Sequence, residues 1–430
     1  MFKNMNSKSE HKSLVLSLFT NFIVFSHLFS CAHEQYAKEP VIPKMYDFNQ
    51  RSIAEFKIEN LSRPQQTDDG IVFECPTNTN KTLSKEILNY FKENKIHQKL
   101  FHTTTTKSSI KNHTKISFKL KKKYSQISTI AFKDIPDFDL ADEEIILPAL
   151  NNQTQIIKTV SKKEILLAMM QRGRKTLFDA EKCQVSSLKD FVGIRQNTSA
   201  WGQKLDWYFP DDKAKWNTQY WDYGTPIKGT KLADGLRDMF LNPRLYAIGC
   251  YTAAKLVMIQ GVYDYYYRVE PNQNKLQIIE EKLWSDNDPL VNLEPGHAWD
   301  FYPKMTPEEK ATPGKILDVQ KNIPFNHIIP GDWIYMFNAP GIMTANRGYE
   351  GSNAIYLGRN QFTDYYNIHG HSYTFEELID KVYQWRNNVY DRPDDNKNIR
   401  PLHKDDLFRL AKTPDENGIF IDYRIYPVHF

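Results

Sequence analysis

The sequence holds little charge of either sign in excess. Over 430 residues, 56 basic side chains face 52 acidic ones, a formal net charge of +4. That is too weak an imbalance to build the electropositive footprint of a nucleic-acid-binding chain, so nucleic acid is not an expected partner. Cysteine is scarce, with four in all, and no two of them form a C-x-x-C pair. A Cys-based structural zinc site is therefore not expected. No glycine-rich phosphate loop is present, and the acidic stretch SDNDPLVNLE (285–294) lacks the glycine and spacing of a calcium loop. Neither a metal nor a cofactor is expected. Beyond residue 30 no stretch supplies the roughly 18 consecutive apolar residues of a membrane-spanning helix, and no internal repeat is visible.

What the chain does have is apolar payload. Hydrophobic residues make up 40% and aromatic residues 13%, with 24 Tyr and 25 Phe, enough buried surface to offset chain entropy and to exclude a disordered or fibrous class. The length predicts two folded units plus processing sequence. The processing sequence is at the start. Lys8 to Lys12 form a basic segment, Ser13 to Phe29 an apolar one interrupted by Asn21 and His27, and the run ends Leu28-Phe29-Ser30-Cys31. This reads as an export signal over residues 1–30. Its end resembles the lipobox of bacterial lipoproteins, which would make Cys31 a lipidated first residue and the protein a membrane-anchored or secreted component of the cell envelope. An uncleaved signal anchor and a non-lipidated signal peptide are the alternatives.

Residues 31–154 form an N-terminal region of unreadable function. It carries a helix-like segment (84–101), the alternating runs KISFKLK and QISTIAFKD that predict short strands, and the basic cluster Lys119–Lys123. That cluster fits a solvated strand end or a contact with anionic lipid or cell-wall polymer. From Thr159 onward helix signals dominate. Ser161 followed by Glu164 is a capping box opening the run EILLAMMQRGRKTLFDAEKC, and a second helix is predicted from Ser186 to Gly193. Trp201, Trp207, Trp216 and Trp221 then cluster among turn residues, as either a groove wall or core packing. A Cys75–Cys183 disulfide is open, since spacing alone does not fix it.

The most informative stretch is NPRLYAIGCYTAAKLVMIQGVYDYYY. Asn242-Pro243 signals a turn, Gly249 relaxes the backbone, and Thr252 to Tyr263 reads as a buried helix, so Cys250 falls at a helix N-terminus. There the macrodipole and first-turn N–H groups favour a thiolate and can hold an oxyanion formed beside it. A buried structural cysteine is the alternative. Downstream, 327–337 and 352–358 read as strands, and His369 and His371 precede another helix. A helix-borne Cys followed by a strand pair and a His is the order of papain-like thiol enzymes of the NlpC type, an α+β fold with the Cys helix packed on an antiparallel sheet.

On these residues the chain resembles the bacterial spore-coat type of protein-glutamine gamma-glutamyltransferase. The family's N-T-x-Y-W is matched by Asn217, Thr218, Tyr220 and Trp221, and its nucleophile segment by Pro243, Tyr246, Ala247, Cys250, Thr252 and Ala253. Its H-x-x-x-G-D is matched by His327, Gly331 and Asp332, and its G-E-N with a trailing L-G by Gly351, Asn353, Leu357 and Gly358. A final H-G with I-D-K is matched by His369, Gly370, Ile379, Asp380 and Lys381. The resemblance spans about 161–388 and implies a catalytic domain over 155–430, with Cys250 as nucleophile and proteins bearing Gln and Lys as substrates. Trp201, Trp207, Trp221 and Tyr220 are then expected to bind substrate and exclude water. Two positions depart from the family: Gly249 stands where a Glu precedes the Cys, and Ser352 where a catalytic Glu is found, with Glu350 two residues earlier. Either Glu350 or His369 supplies the base, or activity is lost. His297 reads as a loop residue. An NlpC-like cell-wall peptidase or amidase, and an inactive surface lipoprotein, are the competing functions.

Overall fold

The computed structural model describes residues 70–171, 175–179, 182–210, 214–222, 224–285, 317–321, 323–337, 351–368, 370–386, 402–413 and 416–427. The expected export signal over residues 1–30, Cys31, His297, Glu350 and His369 lie outside them.

The first sheet has the order β2-β3-β1-β6, built from β1 (Gly70–Pro76), β2 (Phe101–Lys107), β3 (His113–Leu120) and β6 (Lys175–Asp179). β3 obeys the two-residue side-chain period. Thr114, Ile116, Phe118 and Leu120 are buried and the residues between them are half-buried. β1 is buried along nearly its whole length, because it pairs antiparallel with β3 on one edge and parallel with β6 on the other. Helix α1 (Asn80–Glu93) lays Leu83, Ile87, Tyr90 and Phe91 against this sheet. Phe91 meets Phe101 and Phe118 edge-on, and Phe73 stacks on Phe178 at 4.7 Å. Each such buried ring contributes about 1.5–3 kcal/mol. An antiparallel hairpin of β4 (Glu143–Pro148) and β5 (Thr154–Thr159) follows.

Ser161 caps α2 (Lys162–Met169), its hydroxyl accepting from the Glu164 N–H at 3.3 Å, as expected from the capping box. The helix is shorter than its apolar run predicts. Residues 175–179 leave it to form β6, because pairing with β1 satisfies their backbone and buries Phe178. QISTIAFKD is likewise not a strand: Ser128 accepts from the Ile130 N–H and caps a 3-10 turn over Thr129–Asp134. A disulfide joins Cys75 to Cys183 with Cα atoms 5.6 Å apart, across 108 residues.

Helix α3 (Val185–Gly202) ties the molecule together. Leu188, Phe191 and Val192 belong to the core of the first sheet, while Ile194, Ala200 and Trp201 belong to the next core. The first core thus draws on residues 71 to 192 and on Ile329, so residues on both sides of the expected 154/155 boundary share it.

The remaining elements are β7 (Trp221–Asp222), β8 (Thr225–Pro226), α4 (Leu232–Leu241), α5 (Cys250–Asp264), α6 (Gln273–Ser285), β9 (Leu317–Lys321), β10 (Trp333–Phe337), β11 (Gly351–Gly358), β12 (Gln361–Thr363), β13 (Ser372–Thr374), α7 (Phe375–Arg386), α8 (Lys404–Leu410) and β14 (Phe420–Pro427). Six of these strands form an antiparallel sheet in the order β13-β12-β11-β10-β14-β9. α5 packs on β11 from one face, and α7 covers the other face around Ala354, Tyr356 and Phe362. α3 and α5 cross at Gly261, where an added Cβ would stand 2.0 Å from the Thr198 hydroxyl. Only a glycine lets the two backbones approach so closely.

Among the described residues no helix is long and apolar enough to cross a membrane.

Candidate active site

The chain delivers Cys250 to the start of α5 through a short extended segment held on both sides. Pro243 opens a 3-10 turn. Ile248 N–H then donates to the Tyr208 carbonyl and Tyr208 N–H to the Tyr246 carbonyl, while Ala247 and Lys215 exchange both of their backbone hydrogen bonds. Gly249 is the N-cap, in extended conformation, its carbonyl accepting from the Ala253 N–H at 2.9 Å. Cys250 is therefore the first residue of a 15-residue helix whose remaining turns are buried, and its half-exposed thiol lies where the first-turn N–H groups have no acceptor within the helix.

Asp238 braces this segment from behind. It accepts from the Asn217 amide at 2.8 Å and, through the same oxygen, from the Tyr246 hydroxyl at 2.5 Å. The two sequence motifs that contain Asn217 and Tyr246 thus meet on one carboxylate. Nothing in the sequence marks Asp238, since it lies between the motifs.

On the sheet side, the Asn353 side-chain N–H donates to Cys250 Sγ at 3.5 Å, and the thiol faces the Gly351 carbonyl at 3.9 Å. The amide is oriented by the Trp333 indole N–H, which donates to Asn353 Oδ1 at 2.9 Å. Because an indole N–H can only donate, the Asn353 oxygen must face Trp333 and its nitrogen the sulfur. Strand alternation sends residues 353, 355 and 357 to the Cys250 face and 352, 354 and 356 to the other. Ile355 and Leu357 accordingly lie in the core beside Cys250, Ala354 and Tyr356 in the core under α7. Ser352, matching the family's catalytic Glu, is buried and faces away from the thiol.

Between β12 and β13, Asp364 is fully buried and accepts from the Tyr366 N–H at 3.2 Å. The Tyr366 hydroxyl donates to the Ile248 carbonyl at 3.1 Å, two residues before Cys250. Burial pushes the Tyr365 and Tyr366 phenols well above their ordinary range, with the Cys250 charge adding to it, so both act as neutral groups. His371 adopts a positive φ of 73° and holds the Leu205 carbonyl through Nδ1 at 2.8 Å. Neither Asp364 nor Tyr366 was singled out by sequence pattern, although both sit in the run leading to His369.

The tryptophans do not line an open groove. Trp201, Trp207 and Trp221 are each 1% exposed. The Trp201 indole donates to Asp264 at 2.9 Å, the Trp207 indole to the Met239 carbonyl at 3.0 Å, and Trp221 packs on Trp216 at 5.4 Å. Their ring area is spent on the core against which Cys250 packs. Tyr220 is half-buried against the same core.

Gly331 and Asp332 are structural. Gly331 has φ +83°, and a Cβ added there would stand 3.0 Å from the Arg195 Cα, so an L side chain would be both strained and crowded. Asp332 is fully buried and pairs with Arg195 at 2.7 Å, joining α3 to the turn that enters β10.

A family model for protein-glutamine gamma-glutamyltransferase matches residues 142–391. Among curated proteins no match is found. A solved structure of a transglutaminase from Geobacillus stearothermophilus, without its C-terminal extension, aligns over 56% of this chain and 93% of its own at 16% identity, with a TM-score of 0.33. The family match covers more than half of the sequence and contains Cys250, Asn353 and Lys381 together: the chain belongs to the protein-glutamine gamma-glutamyltransferase family.

Proposed function

We propose that Cys250 is the nucleophile of the family's acyl transfer. The observation that carries this is the position of its sulfur, at the first residue of α5 and against the Asn353 amide, within the matched segment. The thiolate attacks the γ-carboxamide carbon of a protein glutamine. The oxyanion is held at the helix start, the C–N bond breaks, and ammonia leaves with a proton from an acid. A lysine ε-amine then attacks the thioester, gives its proton to the same group acting as base, and releases the thiolate as the isopeptide forms. Water in place of the amine gives deamidation. The acid and base role falls to Glu350 or His369, the residues next to Gly351 and Gly370. The helix-borne Cys on an antiparallel sheet supports a papain-like core.

The protein works outside the cytoplasm, anchored through a lipidated Cys31 or released into the envelope. The Cys75–Cys183 disulfide supports this, since such bonds persist in oxidising compartments.

The test is incorporation of a labelled primary amine into a glutamine-bearing protein by wild type and Cys250→Ala. Loss of signal in the variant alone is expected. Equal signal removes Cys250 as nucleophile, while cleavage of peptidoglycan stem peptides without amine incorporation favours the peptidase reading.

A further inference from the structure

The positive charge of the protein is concentrated away from Cys250, in a segment that the proposed chemistry does not use. Between Glu93 and Asp134 the sequence holds ten lysines, no arginine and no carboxylate, whereas the rest of the chain sets 46 basic against 52 acidic side chains. This segment contains the β2–β3 hairpin, and β2 is an edge strand of its sheet.

Strand alternation sorts the hairpin into two faces. Ile116, Phe118 and Leu120 enter the core with Leu83, Ile87 and Phe91 of α1. Lys115, Ser117 and Lys119 take the opposite face, paired across the ladder with Thr106, Thr104 and His102. Carboxylates stand only at its margins. Glu74 on β1 reaches Lys115 at 3.8 Å, with Asp179 of β6 beside it, and Asp137 reaches Lys99 at 3.9 Å and Lys123 at 3.0 Å. Lys107, Lys111, Lys119, Lys121 and Lys122 have no ion-pair partner among the described residues. At the tip of the hairpin Ile110 is 50% exposed, between the exposed Lys107 and Lys111.

Three properties select the partner. The unpaired lysines run from the tip to the far end of β3, eight residues that span about 24 Å at about 3.4 Å per residue. That length exceeds any single small anion. Lysine supplies point charges rather than the planar fork with which arginine grips one phosphate, so a diffuse array of anions fits this face better than a defined site. An exposed isoleucine set among cations gains by leaving water for the apolar zone beneath lipid headgroups, and a hydrophilic polyanion offers it no such zone.

We propose that the β2–β3 hairpin is a docking face for an anionic phospholipid bilayer, its lysines held by the headgroup charge and Ile110 entering the interface at the tip. Each lysine close to such a surface favours the bound state about fivefold. The inference depends neither on Cys250 as nucleophile nor on lipidation of Cys31.

The experiment measures partition of the full chain onto vesicles of phosphatidylcholine alone and of an equimolar mixture with phosphatidylglycerol, by co-sedimentation. The ratio of the two partition constants removes the contribution of the apolar segment Ser13 to Phe29, which is common to both. The double variant Lys107→Gln, Lys111→Gln is expected to lower the ratio about 25-fold. Lys81→Gln, Lys85→Gln removes the same charge from α1, on the other side of the sheet, and is expected to leave the ratio near wild type because salt screens charges beyond about 10 Å. Ile110→Ser keeps every charge and is expected to weaken partition onto the mixed vesicles several-fold. Where the tip double variant fails to fold by circular dichroism, Lys111→Gln alone carries the comparison, with a loss of about fivefold expected. An equal loss in the α1 variant assigns the effect to net charge and overturns the inference. Vesicle partition indifferent to Ile110→Ser, together with binding of soluble polyphosphate that the tip lysines control, overturns it in favour of a polymer site.

Discussion

The Asn353 amide stands between the Trp333 indole, 2.9 Å from its oxygen, and the Cys250 sulfur, 3.5 Å from its nitrogen. A donor aimed at the sulfur stabilises the thiolate more than the thiol, since hydrogen bonds to the charged form favour it. Asn353→Asp keeps the acceptor that Trp333 needs and replaces the donor by a negative charge. Its curve of iodoacetamide alkylation at Cys250 against pH is expected to shift to higher pH, with amine incorporation at neutral pH falling at least about tenfold. Asn353→Ala also leaves the buried indole N–H unpaired, at a further cost of about 1–3 kcal/mol in stability. An unchanged alkylation curve in Asn353→Asp would show that the contact has no electrostatic role.

The Cys75–Cys183 bond closes a loop of 108 residues that contains most of the first core. Chain-entropy arguments give about 4.7 kcal/mol for a loop of about 100 residues, and measured effects are typically about 2–4 kcal/mol. The double variant Cys75→Ala, Cys183→Ser should lose stability in that range by denaturant titration, and reduction of the wild type should do the same. A midpoint insensitive to both would mean that the cross-link adds nothing to the fold.

The placement of Cys250 was legible because its cues are local. An Asn-Pro turn, a glycine and a long apolar run meet within a few residues of it. Elements set by distant partners were not. The run after Ser161 keeps helical apolarity past Met169, yet residues 175–179 become a strand because β1, about a hundred residues earlier, offers an open edge. The tryptophans show a different limit. Composition gives an aromatic cluster but no inside or outside, and the decisive partners, Asp264 for Trp201 and the Met239 carbonyl for Trp207, carry no motif. Ser352 marks a third. A substitution at a family position is visible in sequence, whereas the sheet face it points to follows from the register of β11 with β10.

Lys204 makes stability depend on alkaline pH. Its ammonium donates to the Pro148 carbonyl and lies 5.5 Å from the Trp201 ring centroid, and burial lowers its pKa from 10.5 to about 8. Below pH 8 both folded and unfolded chains carry the proton, and the cost of holding the charge in a half-buried site is fully present. Between pH 8 and 10.5 the unfolded chain binds more protons than the folded one, so this group's contribution to stability rises with pH. The difference in unfolding free energy between wild type and Lys204→Met should therefore grow in favour of wild type from pH 8 to 10.5 and be flat from pH 6 to 8. A flat difference across the whole range would refute the shift.

Arg195 and Asp332 are both fully buried, and their 2.7 Å contact is supplemented by Arg195 donating to the Pro330 carbonyl and the Ile329 N–H donating to Asp332. Removing one partner of such a pair leaves an uncompensated buried charge and costs about 3–5 kcal/mol, whereas replacing both with apolar residues costs far less. Asp332→Ala and Arg195→Met are each expected to lower stability by that amount, and the double variant Arg195→Met, Asp332→Leu to lose less than the sum. The consequence for activity follows from chain order. Asp332 immediately precedes Trp333, the residue that orients Asn353 toward Cys250, so a relaxed turn releases the indole and with it the amide. Folded single variants should show slower Cys250 alkylation at neutral pH even though neither Arg195 nor Asp332 contacts the thiol. Additive stability losses together with unaltered alkylation would separate the buried pair from the site.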